Sequence, residues 1–147
     1  MSGYNEGEMM SIKKFRYDKE GLDRFFGPLE AKIMDILWTG TEKSIKEVQE
    51  LIEKERTINF NTVMTVMNRL VEKSLLEKRV IGRTSYYKPV KTRMEFIDEE
   101  SKKISDNLLN EFGAIVVNHM IDSLESVDQN LLDKLEKKIN LLKKGSK

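Results

Sequence analysis

Apolar residues recur at helical spacing at Leu29, Ile33, Ile36 and Leu37, behind Gly27-Pro28 and ahead of Thr39-Gly40-Thr41, which predicts a first helix from Pro28 to about Trp38. Ser44-Ile45-Lys46-Glu47 has the form of a capping box, and Ile45, Val48, Leu51 and Ile52 behind it predict a short amphipathic second helix. A third helical run extends from about Asn61 to Ser74, with Val63, Val66, Met67 and Leu70 on one face. The period then shortens. Leu76 to Ile81 and Ser85 to Lys88 read as two strands around Gly82-Arg83-Thr84, and Pro89 ends the second. Thr92-Arg93-Met94-Glu95 is a second capping box, opening a long helical stretch with Ile97, Ile104, Leu108, Phe112, Ile115 and Val116 on its apolar positions. A last helix from Asp128 carries Leu131, Leu135, Ile139 and Leu142.

This order predicts a mainly α fold with a small β-hairpin wing: a winged helix-turn-helix domain over residues 27–91, followed by a helical tail over 92–147. Residues 1–26 show no sustained period and read as a flexible or loosely docked N-terminal extension. Within it, Glu6-Gly7-Glu8 can be encoded by a purine-rich run resembling a bacterial ribosome-binding site, so a natural start at Met9 or Met10 is an expectation that intact mass would check.

Composition narrows the chemistry. Zero cysteines exclude disulfides, a catalytic thiol, an iron–sulfur cluster and a thiolate zinc site, and one histidine cannot build a His-rich metal cage. Phosphate-binding, dinucleotide, nucleophile-elbow and zinc-protease motifs are all missing, so no enzyme, catalytic residue, metal or cofactor is expected. No stretch reaches the roughly 20 apolar residues of a membrane span, and the expected address is the cytoplasm. The formal net charge of +1 hides a local imbalance. From Thr57 to Lys91 seven cations (Arg69, Lys73, Lys78, Arg79, Arg83, Lys88, Lys91) face two anions (Glu72, Glu77), whereas Glu42 to Glu55 is net negative. A polyanion would dock on the downstream part.

Projection of the third helix at 100° per residue sharpens that expectation. Taking Val63 as zero, Val66, Met67 and Leu70 fall within about 60°, while Asn61, Thr62, Thr65, Asn68, Arg69 and Glu72 take the far side. Hydroxyl, amide and guanidinium groups there suit base edges and phosphates. An ordinary solvated face is the plain rival reading, but the face lacks the usual Glu/Lys pairing, and a basic hairpin follows it. A winged-helix protein–protein interaction module without specific DNA binding is the alternative function. A small-molecule sensor with a cleft lined by Phe96, Phe112 or Tyr87 is a third.

Pro28-Leu29-Glu30-Ala31 to Ile36-Leu37-Trp38, Asn61-Thr62-Val63-Met64-Thr65-Val66-Met67-Asn68-Arg69-Leu70 with Lys73 and Leu75-Leu76, and Gly82-Arg83-Thr84 to Tyr87-Lys88-Pro89 resemble the penicillinase repressor (BlaI/MecI/CopY) family. The resemblance runs from about Pro28 to Leu142. It implies a homodimeric bacterial repressor on a palindromic operator, with Thr62, Thr65 and Arg69 on the recognition helix facing DNA and Gly82-Arg83 at the wing tip. It also implies intertwined tails, so Ile104, Leu108, Phe112, Ile115, Val116, Leu131, Leu135 and Ile139 become the expected dimerisation positions. A tail with that apolar stripe would stand exposed in a monomer.

Three departures qualify the resemblance. The C-terminus Leu142-Lys143-Lys144-Gly145-Ser146-Lys147 lacks the cysteine-rich metal hook of the copper-responsive branch. In the β-lactam branch a membrane sensor system leads to cleavage between an Asn and a Phe. Here Ile115-Val116-Val117-Asn118-His119 looks similar, with His119 at the Phe position, so Asn118-His119 is a candidate bond for a sensor protease. His119 equally reads as a packed interfacial histidine. The N-terminal extension is the third departure. In the expected mechanism the third helix enters the major groove and Thr62, Thr65 and Arg69 read or clamp the site. Arg79 and Arg83 on the wing, and Ser44 at the start of helix two, hold phosphates. Asn61 and Lys73 complete the contact set.

Overall fold

The computed structural model describes Phe15, Arg16 and residues 19–145. The expected start at Met9 or Met10 lies outside the described residues. A 3-10 turn at Gly21–Arg24 leads into α1 (Pro28–Trp38), β1 (Lys43–Ser44), α2 (Ile45–Glu53) and α3 (Phe60–Glu72). Strands β2 (Leu76–Ile81) and β3 (Thr84–Pro89) follow, then α4 (Arg93–Phe112), α5 (Ala114–Asp122), a 3-10 turn at Ser123–Ser126 and α6 (Gln129–Gly145). The chain divides into two units after Glu100.

Local chemistry sets the helix starts where the sequence places them. Ser44 Oγ accepts from Glu47 N at 3.2 Å while Ser44 N donates to the Glu47 carboxylate at 2.8 Å, closing the box at α2. Thr92 and Glu95 make the same reciprocal pair at α4, at 2.8 and 3.1 Å. The backbone and hydroxyl hydrogen bonds from Thr92 hold the Glu95 carboxyl below its usual range. Helix α3 ends through Ser74, which adopts a left-handed φ of +64° so that Leu75 N reaches Leu70 O at 2.9 Å. The wing turns on Gly82 at φ +64°, with Ile81 opposite Thr84, so a two-residue loop carries Arg83 at the tip.

The first unit is built around a three-stranded antiparallel sheet in the order β1-β3-β2. Strand β1 is absent from the sequence-based expectation. Two residues carry no period, and Lys43 and Ser44 become a strand only by pairing with Tyr87 and Tyr86. Ile33, Met34 and Leu37 of α1, Val48 and Ile52 of α2, and Val63, Met67 and Leu70 of α3 close the core against Leu76 and Tyr87. Each such side chain contributes on the order of 1.5–3 kcal/mol by leaving water.

Two boundaries move outward from their expected places. Phe96 of α4 is 1% exposed, stacked on Phe26 at 5.2 Å and tilted against Trp38 at 5.4 Å, so the first turns of α4 belong to this core instead of starting a separate tail at residue 92. The Trp38 indole N–H donates to Lys91 O at 2.9 Å and pins the connection. On the other side, Phe26 is buried and Phe25 packs edge-on against both Phe15 and Phe96, so chain described before residue 27 is packed where a flexible extension was expected. These phenylalanines lack periodic spacing. Their attachment is tertiary, which is why a search for period misses it.

In the second unit, Gly113 at φ +33° separates α4 from α5, and Asp128 caps α6 by accepting from Leu131 N at 3.0 Å. None of its described residues is buried.

Candidate nucleic-acid interface

Helix α3 begins at Asn59, whose side chain accepts from Asn61 N at 2.7 Å and satisfies one of the free donors of the first turn. Its inner face, Val63, Val66, Met67 and Leu70, is buried, and Asn61, Thr62, Thr65 and Arg69 are exposed on the other side, as the projection requires. Asn68 differs from them. Half-buried, it accepts from the Tyr87 hydroxyl at 2.8 Å and so ties α3 to β3. Burial pushes the Tyr87 hydroxyl up from the ordinary tyrosine value, which keeps it protonated as the donor.

The cations divide into two groups. Four of the seven between Thr57 and Lys91 are held by carboxylates: Lys73 by Glu30 at 3.0 Å, Lys88 by Glu77 at 3.2 Å, Arg79 by Glu42 and Lys91 by Glu99. Arg69, Lys78 and Arg83 have no acidic partner among the described residues, and Lys78 lies 5.9 Å over the Tyr87 ring. Within this stretch the cations without an ion-pair partner among the described residues therefore lie on the exposed face of α3 and on the wing, with Arg83 at its tip.

Two expected contacts have partners within the chain. Lys73 is a bridge from the end of α3 to α1, with its side chain 17% exposed, so its charge is spent on Glu30. Ser44 is buried at 9% exposure with its hydroxyl and amide both engaged by Glu47, and the carboxylate of Glu47 occupies the N-terminus of α2 where a phosphate was expected. Arg79 keeps an exposed side chain but shares it with Glu42. Sequence reasoning missed Asn68–Tyr87 and Arg79–Glu42. Their partners lie 19 and 37 residues apart, and no local pattern signals them.

Of the expected dimerisation positions, Ile104, Leu108 and Val116 are half-buried, whereas Phe112, Ile115, Leu131, Leu135 and Ile139 are exposed. Asn118 and His119 are exposed on α5, and Ser123 Oγ donates to the His119 carbonyl at 2.9 Å. Phe96 and Tyr87 fill the core, so neither lines a cleft for a small effector. Among the described residues no helix is long and apolar enough to cross a membrane.

Three helices whose third presents a polar outer face, followed by a two-stranded wing, define a winged helix-turn-helix protein. The chain matches the family described as penicillinase repressor over residues 26–141, and it belongs to that family. It is 38% identical over 72 residues to the transcriptional regulator BlaI of Mycobacterium tuberculosis, in two strains. That match covers 48% of this chain and 52% of the relative, so the chain spans about half the length of the curated relatives it matches. A solved homodimeric winged helix-turn-helix DNA-binding domain of a possible ArsR-family transcriptional regulator from Mycobacterium bovis aligns at 18% identity and a TM-score of 0.42. It covers 58% of this chain and 76% of the other, a likeness too distant to carry argument.

Proposed function

We propose that this protein is a DNA-binding transcriptional repressor that occupies a palindromic operator as a homodimer. The observation that carries this reading is the clean division of α3, with four apolar side chains sealed in the core and Asn61, Thr62, Thr65 and Arg69 exposed beside a wing that ends in Arg83. In this reading α3 enters the major groove, Thr62, Thr65 and Arg69 meet base edges, and Arg83 holds a phosphate. The relatives' description as transcriptional regulators supports it. Two protomers joined through their C-terminal helices would present two such faces to half-sites about one or two helical turns apart. The protein would then work in the cytoplasm, where the DNA is.

Induction by a sensor protease is the finer part of the proposal. Both residues of Asn118-His119 are exposed, but the bond lies inside α5, so cleavage needs that helix to unwind locally.

The test is a titration, at one moderate salt, of DNA from upstream of the protein's own gene against a shuffled duplex of equal composition. Preference of about 10³ or more, saturating at two chains per site, is the expected result. Equal weak binding to both would favour the protein-interaction module. Within the same assay, Arg83→Ala should flatten the salt dependence by about one unit on every sequence.

A further inference from the structure

We propose that Glu42 is a specificity determinant of the DNA-binding surface, holding the Arg79 guanidinium so that the wing forms this phosphate contact only on a well-seated duplex. The proposal rests on the DNA-binding reading above. It starts from the sheet. Ser44 on β1, Tyr86 on β3 and Arg79 on β2 stand side by side in register, and Glu42 lies two residues before Ser44. Glu42 itself precedes this two-residue strand, and the ion pair carries the Arg79 side chain across the narrow sheet to its carboxylate. The carboxylate is the more sheltered half of the pair, at 25% side-chain exposure against 62% for Arg79.

The consequence follows from where affinity originates. Binding to arbitrary DNA is almost entirely phosphate contact, so a cation already held by a carboxylate contributes less to it. On a matched site the base contacts of α3 fix the duplex in one register. A phosphate placed there can take Arg79 from Glu42, and an exposed ion pair resists that exchange only weakly. Glu42 thus lowers non-specific affinity more than specific affinity. Lys88–Glu77 on the same hairpin restrains a second cation in the same way.

The experiment uses the full chain, a duplex selected by the wild-type protein from a randomised pool, and its shuffled counterpart. Glu42→Gln should tighten binding to the shuffled duplex about three- to fivefold. Its salt slope on that duplex should steepen by about one unit, with a smaller gain on the selected duplex and hence a lower specificity ratio. In an Arg79→Gln background the Glu42→Gln effect should vanish. An unchanged ratio, or an effect that persists without Arg79, overturns the proposal while leaving DNA binding intact. If the wild-type chain selects no sequence at all, the DNA-binding reading falls and this proposal with it. Melting temperatures of the variants confirm that each is folded before its affinity is compared.

Discussion

Ile33, Met34, Val63 and Met67 in the first unit are closed off from solvent, whereas Ile115, Leu131, Ile139 and Leu142 in the second stand 41–62% exposed. All eight sit on helices with an apolar stripe. The difference is a second layer. In the first unit three helices and a sheet cover one another's stripes, while α4 beyond Glu100, α5 and α6 leave theirs open. An open stripe of that size is the surface that the proposed homodimer would cover.

The sharpest way to break the comparison is to damage the layer that is complete. Ile33→Ala should lower the stability of the winged-helix unit by about 2–5 kcal/mol, read from urea unfolding of the full chain. A loss near zero would mean that the core does not depend on α1. The second unit should respond differently. Leu131→Lys with Leu135→Lys should weaken self-association by about 2 kcal/mol or more for each substituted side chain, read by sedimentation. Little change should appear in the unfolding of the first unit. Unaltered association would place the dimer contact elsewhere.

A smaller effect probes the tie between α3 and the wing. Tyr87→Phe removes the bond to Asn68 and should cost about 1 kcal/mol at neutral pH. Burial raises the folded-state pKa of this tyrosine, so its contribution is full below the ordinary tyrosine value and is lost as pH rises through the folded one. The wild type should therefore lose stability in that alkaline window more steeply than the Phe variant. Parallel curves would show that the hydroxyl is not sheltered.

Much of the candidate interface was legible from residue spacing. The polar face of α3, both capping boxes and the Gly82-Arg83 turn depend on contacts within four residues, where spacing and side-chain chemistry determine the outcome. Charge was less legible. A count of cations gives no information about Glu30, Glu42 and Glu99, which neutralise three of them from elements outside or at the edge of the basic stretch.

By itself, then, the sequence determined where the first three helices lie, which face of each is apolar and where the wing turns, because these follow from period and local hydrogen bonding, whereas the break at Gly113 inside the expected long helical stretch was not read from it. Only the tertiary structure decided that β1 exists, that Phe26 and Phe96 extend the core past both expected boundaries, and that Arg79 is shared with Glu42. Those outcomes require residues far apart in the chain to meet, and their energies are set by burial and partner geometry that no local pattern encodes.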